Sequence, residues 1–567
     1  MFSSSVLNQR TISDKEKSSL FQEEGKGHIY LAALLLFLIE ISVIVWNYFD
    51  HSLPYWDTAS HRLNSLSAYH LLTHAHFRSI DWYRHLLGIS SLYPPLVYII
   101  NGLLKLIVGW STDTEVFVNL VFVALLFSSV YYAAYVTSKN KLAAPIAATL
   151  VFMYPRLYWS AHHVLLDFPA VAMTGVSLAT FLWWAQKPAT AKSVLLGIIL
   201  GLTVLTKNNT PIFLVGPFFV DGIISVYKRD LYRIKQLAIT TLFSVLILLP
   251  WLILSLATVG QSIASIQLHQ LGPHTTLSFL ETFSLAWSCD LPYILSPILF
   301  YCFIASLFTQ RNLTRNKIYL IAFGLGGILI ASNFRWWHSF RYIVPAAIPM
   351  AIVSADMFAR AWSTRLVALR IAAVALGFVA VFQFIYAAFT PYPLRLPDWI
   401  SKTIASHSWG LDLPDELGPN NLNADGPSFR PLPYADWGTS WVLSTIKEKT
   451  IGKAPSMIIM PNSESVNVST YVYLAHVKMI SIAFVNCREF TTSGDTLQFD
   501  RKRAQAIDWY VLKTGDQGLV FSDKASAAQY DQWCQYVRLS KIFQLVGTKL
   551  LPDGSTLQLY KNTTSQK

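Results

Sequence analysis

Apolar blocks of roughly membrane-spanning length recur along this chain, and short clusters of lysine and arginine stand between them. No other feature narrows the possible folds as much. A helix needs about 20 apolar residues to cross about 30 Å of hydrocarbon, and it must bond all its backbone polar groups internally while doing so. Composition agrees: 53% of the 567 residues are hydrophobic and 13% charged, with a mean hydropathy of +0.40, whereas soluble domains carry about 25% charge. The chain therefore reads as an α-helical polytopic membrane protein and not as one large soluble core.

Eleven spans can be drawn, at about 29–49, 115–137, 142–160, 168–184, 193–209, 211–227, 236–256, 291–310, 318–334, 342–355 and 371–390. With the N-terminus inside, the basic connections 138–141, 186–192, 228–235, 311–317 and 356–370 all fall on the inside, as positive-inside sorting requires. The block 92–110 opens on Pro94 and Pro95 and contains Lys105. A crossing there would turn every later basic cluster outward, so an interfacial or re-entrant helix is expected.

This count predicts three regions: a cytoplasmic tail (1–28), a transmembrane domain (29–390) and an extracytoplasmic α/β domain (391–567). In the last, 456–460 and 481–485 predict strands, 469–477 and 525–537 predict helices, and 543–561 predicts two strands around a Pro-Asp-Gly turn. No small-residue cleavage site follows the first apolar run, which predicts a retained helix and not a removed signal peptide.

The formal charge of +12 is not the mark of a nucleic-acid binder, because the basic residues sit mostly between apolar blocks. Cys289, Cys302, Cys487 and Cys534 lack zinc-site spacing. In an oxidising compartment Cys487 and Cys534 can pair.

The same topology collects charged side chains on the outer side. "PYWDTASH" (54–61) places Asp57 there, close after the first span, and the tight outer turns hold Asp167 and Lys207 beside apolar sequence. Charge so near hydrocarbon usually has a partner or a function. Arg156, Lys207, Arg335 and Arg341 all lie on the side that sorting depletes of cations. Each alone fits a residue snorkelling to the headgroups, but together they call for an anion, and a phosphate at the outer leaflet is the available one. Asp57 then suits a base that takes a proton from an attacking group. Its bland alternative is an N-cap of a helix starting near Thr58.

The first outer loop is rich in histidine (His61, His70, His74, His76, His85), yet it lacks the paired-histidine motif with a glutamate. An amphipathic interfacial helix explains these residues more simply than a metal. His163 and Asp167 stand four apart and can pair with each other.

The order of these segments resembles the GT-C superfamily of integral membrane glycosyltransferases, in particular the bacterial protein-mannosyltransferase-like and aminoarabinose-transferase-like group. The matching pieces are 54–61, 91–109, 154–184, 195–220 and 340–355, within 29–390. The resemblance implies inverting transfer of a sugar from a polyprenyl-phosphate-linked donor to a lipid, glycan or protein acceptor. Transfer would take place at the outer face of a bacterial inner membrane, among membrane lipids, with no obligatory cofactor and no nucleic acid. It makes Asp57 the base or acceptor-positioning carboxylate and sets Arg156 and Lys207 near the donor phosphate, with Arg335 and Arg341 as further cations for it. Tyr55, Trp56, Tyr158, His163, Asp167 and His338 are the candidate acceptor or sugar contacts.

In one place the pattern departs: many relatives carry two adjacent acidic residues where this chain has Asp57 and Thr58, and Asp81 is the candidate for the second. The competing readings are a lipid-linked oligosaccharide ligase or polymerase with a diphosphate donor, a secondary transporter, and a sensor or scaffold.

Overall fold

The computed structural model describes residues 27–90, 92–111, 113–270, 278–310, 313–333, 340–389, 431, 433–450, 452–463, 465–485, 497–518 and 524–564. In chain order the N-terminal helices are α1 (Gly27–Phe49), α2 (Trp56–Thr73), α3 (Ile80–Leu87), α4 (Leu96–Val108), α5 (Val118–Ser138), α6 (Ala143–Leu150), α7 (Pro155–Ala161), α8 (Asp167–Gln186) and α9 (Thr190–Thr206). They continue as α10 (Ile212–Tyr227), α11 (Leu231–Gln270), α12 (Phe279–Leu285), α13 (Leu291–Leu295), α14 (Pro297–Phe308), α15 (Arg315–Ala331), α16 (Ala347–Ser363) and α17 (Val367–Phe389).

Among the described residues, six helical stretches are long and apolar enough to cross a membrane: Gly27–Phe49, Thr114–Ser138, Asp167–Gln186, Leu231–Ser255, Val344–Ser363 and Val367–Ile385. The other expected spans are helical but shorter or broken, and two breaks have a local cause. The stretch 142–160 is not one helix. Pro155 has no N–H to continue the ladder, so α6 runs into a 3-10 turn at Val151–Met153, Tyr154 is extended (ψ 114°), and α7 starts afresh. Likewise 291–310 divides at Ser296 (φ +75°), just before Pro297. The 92–110 block forms the 13-residue α4, about 20 Å long and thus short of the hydrocarbon thickness. It packs closely on α2: a Cβ at Gly102 would lie 2.9 Å from Leu72 Cδ1 and 3.0 Å from the Tyr69 backbone nitrogen.

The core of the bundle lies among α5, α6, α8 and α16, where Phe122, Leu126, Val130, Ala144, Ala147, Ala148, Phe168, Val171, Leu178, Ala347, Ala351 and Ala355 are buried. The small residues let helices without a hydrophobic driving force between them approach closely.

Two charged clusters mark the ends of the bundle. At one end Asp221 of α10 takes Arg233 at 2.7 Å, Arg315 at 2.8 Å and the Tyr319 hydroxyl, and Arg233 also donates to the Ala185 carbonyl at 3.1 Å. The expected basic connections after 186, 227 and 310 thus share one end. Helix α8 runs from there back to Asp167, and its 20 residues cover about 30 Å, the thickness of the hydrocarbon.

The C-terminal region forms a small domain around a five-stranded sheet. Its elements are α18 (Thr439–Lys449), β1 (Ser456–Ile459), α19 (Val468–Val477), β2 (Ala483–Val485), α20 (Arg501–Gln505), β3 (Trp509–Lys513), α21 (Lys524–Leu539), β4 (Phe543–Leu550) and β5 (Thr556–Asn562). The strand order is β2-β1-β3-β5-β4, with β1 parallel to both β2 and β3, and β5 antiparallel to β3 and β4. The strands and helices expected at 456–460, 481–485, 469–477, 525–537 and 543–561 are present. The central strand β3 was not anticipated. Cys534 is buried in α21, and Cys487 lies outside the described residues.

Candidate active site

Four charged side chains from four separate elements converge at the other end of α8. Asp167 occupies the first turn of that helix, where a carboxylate complements the helix dipole. Pro169 follows in the same turn, where its missing N–H removes no helical bond. Lys207 directly follows the last residue of α9 in an extended conformation (φ −158°, ψ 130°), and the Thr210 hydroxyl braces this turn on the Thr203 and Lys207 carbonyls. Arg341 sits in a 3-10 turn, Phe340–Tyr342, ahead of α16. Asp57 belongs to the first turn of α2.

Arg341 joins the two carboxylates. Its Nη1 donates to Asp57 Oδ2 at 2.9 Å, while Nη2 and Nε donate to Asp167 Oδ2 at 2.7 and 3.1 Å. Lys207 Nζ donates to Asp167 Oδ1 at 2.7 Å and stands 5.2 Å from the centre of the Tyr342 ring. Burial is graded across the cluster: the Asp167 and Lys207 side chains are 4% and 6% exposed, Arg341 30% and Asp57 50%. The Asp167–Lys207 pair is thus the buried side of the cluster, and the Asp57–Arg341 pair is its exposed side. Burial opposes the charge on Arg341, but Asp167 and Asp57 outweigh it and hold the guanidinium well above its usual value.

His61 lies one helical turn beyond Asp57, buried, with Nδ1 at 2.8 Å from the Tyr98 hydroxyl and its ring 5.2 Å from that of Tyr93. Burial lowers its pKa to about 4, against the opposing pull of Asp57. The Tyr93 phenol is pushed up, first by burial and then by Asp57, and stays a donor. His61, Tyr93 and Tyr342 complete the wall of the site. Of these, only His61 carried a sequence signal, its i+4 spacing from Asp57.

The capping alternative for Asp57 does not hold. Tyr55 is the N-cap residue, and the Thr58 hydroxyl closes the first turn by accepting the Tyr55 N–H at 2.8 Å. That leaves the Asp57 carboxylate to Arg341. Trp56 has φ +36°, a region that costs a bulky residue on the order of 1–3 kcal/mol. The His163–Asp167 pair that the spacing allows does not form: His163 Nδ1 meets the Trp159 carbonyl at 3.0 Å, and Asp167 turns to Lys207 and Arg341.

The remaining expected residues divide into three groups. Tyr55, Tyr158, His163 and Arg156 make contacts of their own outside the charged cluster. The Tyr55 and His163 rings are 6.4 Å apart, the Arg156 guanidinium lies 3.8 Å from the Trp159 ring centre, and Tyr158 donates to Ser42 Oγ at 3.1 Å. Burial lowers the pKa of His163 to about 4. Asp81 stands apart on α3, exposed and paired with Arg84 at 2.8 Å, so the second carboxylate at Arg341 is Asp167. Arg335 and His338 lie outside the described residues. Among the described residues no group of three or more His, Cys, Asp or Glu could hold a metal ion.

Beneath α2 a second buried network surrounds Glu115. It accepts from Lys105 Nζ at 2.8 Å and from the Tyr473 hydroxyl of α19 at 2.9 Å, with Arg62 Nε at 3.5 Å.

The fold has solved counterparts. ArnT from Cupriavidus metallidurans bound to undecaprenyl phosphate aligns over 94% of this chain and 98% of its own, with a TM-score of 0.55 and 14% identity. Its apo state aligns over 96% and 99% with a TM-score of 0.53, also at 14% identity. This chain shares their fold. The likeness of fold extends to the apo oligosaccharyltransferase of Archaeoglobus fulgidus, over 86% of this chain and 70% of that one, with a TM-score of 0.51 and 14% identity. The model of the dolichyl-phosphate-mannose-protein mannosyltransferase family matches residues 34–261, which contain Asp57, Asp167 and Lys207. No curated protein sequence matches the chain.

Proposed function

We propose that this chain is an inverting glycosyltransferase that moves a sugar from a polyprenyl-phosphate-linked donor to an acceptor at the outer membrane face. The observation that carries the proposal is the cluster of Asp57, Arg341, Asp167 and Lys207, built at one end of the membrane helices and graded from a buried pair to a half-exposed one. In support, a protein of the same fold has been solved with undecaprenyl phosphate bound.

The acceptor's nucleophilic atom attacks the anomeric carbon from the face opposite the phosphate, and Asp57 takes the proton it sheds. The sugar–phosphate C–O bond breaks as the new bond forms. The phosphate leaves with the electron pair, its growing negative charge met by Arg341 and Lys207. Arg341 connects the two halves of the reaction: a phosphate that draws the guanidinium away from Asp57 frees that carboxylate to act as base. Asp167 serves as the fixed counter-ion and takes the place of the second acidic residue; Asp81 is left with Arg84.

Arg156 and Arg335 are further cations for the donor phosphate. Tyr55, Trp56, Tyr158, His163 and His338 are sugar or acceptor contacts. In this reading the helices make eleven crossings of a bacterial inner membrane over residues 29–390, with the tail 1–28 cytoplasmic and the domain 391–567 extracytoplasmic.

The test is transfer by the full-length protein in proteoliposomes. The donors are radiolabelled monosaccharides on undecaprenyl monophosphate and, in parallel, on undecaprenyl diphosphate, with extracted envelope lipid, glycan and protein as acceptors. Label moving from the monophosphate alone is the expected result. Label moving only from the diphosphate would reassign the chain as an oligosaccharide ligase or polymerase, and no transfer from either would remove the reading.

A further inference from the structure

The segment that carries Asp57 is gripped by the C-terminal domain on both sides of that residue. Before it, the Thr470 hydroxyl donates to the Pro54 carbonyl at 2.8 Å. Immediately before it, the Trp56 indole N–H donates to Asn462 Oδ1 at 3.0 Å. After it, Ala59 is fully buried within the hydrophobic core that Met457, Tyr471, Trp509 and Leu557 form inside that domain. Trp56 opens α2 with its backbone in the left-handed region, so its conformation sets the direction in which the next residue, Asp57, leaves the chain.

Asn462 is itself held in place. Its N–H donates to the Gln517 carbonyl at 2.8 Å, and it bridges to Gly518. Gly518 has φ +71°, and a Cβ there would lie 2.4 Å from the Asn462 carbonyl oxygen. Only glycine fits such a close approach in that conformation. A chain of fixed contacts therefore runs from the sheet domain through Gly518, Asn462 and Trp56 to the carboxylate that meets Arg341.

We propose that Asn462 is a positioning residue for the transfer reaction: it holds Trp56 in its unfavourable backbone state and so aims Asp57 at Arg341 and the incoming nucleophile. This assigns the C-terminal domain a part in catalysis that reaches the reacting groups through Trp56. The inference rests on the glycosyl-transfer reading and on Asp57 as its base. Base catalysis depends steeply on geometry, so a loosened Asp57 lowers turnover without weakening donor binding.

The experiment compares full-length wild type, Asn462→Ala, Asn462→Asp, Asp57→Asn and the double variant Asp57→Asn with Asn462→Ala in nanodiscs, measuring kcat, donor KM and the thermal unfolding midpoint. Asn462→Ala is expected to lower kcat about tenfold with donor KM within about twofold. Asn462→Asp retains an acceptor oxygen and should recover most of the loss. In an Asp57→Asn background, Asn462→Ala should cost nothing further, because the group it aims is gone. Should the alanine variant unfold, Asn462→Leu, close in size but without an acceptor, carries the same comparison. Wild-type kcat in the Ala and Leu variants, or an effect confined to KM, overturns the positioning role. If Asp57→Asn itself turns over normally, the base assignment falls instead, and the two failures are thereby distinguished.

Discussion

Replacing Asp57 by Asn removes a proton acceptor and little else. The amide oxygen can still accept from Arg341 Nη1, which lies 2.9 Å from Oδ2, and Arg341 keeps its contacts of 2.7 and 3.1 Å with Asp167. The lost charge belongs to a pair whose side chains are 50% and 30% exposed, and such a pair contributes at most about 1 kcal/mol. Donor affinity should therefore change by less than about fivefold. A positioned base contributes about 10²–10⁴-fold to rate, or about 3–5 kcal/mol of barrier. Turnover of Asp57→Asn should fall by about 10² or more. The assay is single-turnover transfer in nanodiscs beside equilibrium binding of the donor. Turnover within about threefold of wild type would refute the base assignment, as would a rate loss matched by an equal loss of donor binding.

Two further predictions concern the supports of the site. Glu115→Gln leaves Lys105, whose side chain is fully buried, without its counter-charge. The expected loss of stability is about 3–5 kcal/mol, read by thermal unfolding, and an unchanged midpoint would contradict it. His61 has a folded-state pKa lowered from 6.5 to about 4, chiefly by burial. Because the unfolded chain then binds the proton more readily, its share of stability is complete above about pH 7 and is lost as pH falls through 6.5 toward 4, by about 3 kcal/mol in total. Unfolding followed between pH 7 and 5 should show a shallower slope in His61→Gln than in wild type, the remainder coming from buried His163; equal slopes would count against it.

The apolar blocks revealed the bundle because crossing hydrocarbon leaves helices as the available solution for such runs. Their ends were harder to read: a proline within an apolar run can kink a helix or end it, and at Pro155 and Pro297 it opens a new one. Positive-inside sorting placed 186–192, 228–235 and 311–317 at one end, where Ala185, Arg233, Asp221 and Arg315 now meet. In the C-terminal domain, β4 and β5 were visible from their turn. Strand β3 was not, since all five of its residues are buried and it lacks the alternation that marks a half-exposed strand.

Asp57, Lys207 and Arg341 stood out in the sequence because charge beside hydrocarbon is costly. Their pairing did not, for Arg341 is separated from Asp57 by 284 residues and from Asp167 by 174. The spacing lets Asp167 turn to His163, but His163 lies before the helix that Asp167 opens, and two strong cations from elsewhere outcompete a buried histidine held neutral. The link from Trp56 to Asn462, 406 residues apart, had no sequence signal at all.

The central claim is that Lys207 and Arg341 receive the phosphate of a lipid carrier. Its most direct test is equilibrium binding of undecaprenyl monophosphate to the full-length protein in nanodiscs, comparing wild type with Lys207→Met and Arg341→Met. Hydrogen bonds to a charged group are worth about 1.5–3 kcal/mol, so each variant should bind the lipid at least about tenfold more weakly, while folding as judged by thermal unfolding is retained. Binding equal to wild type in both variants would contradict the account.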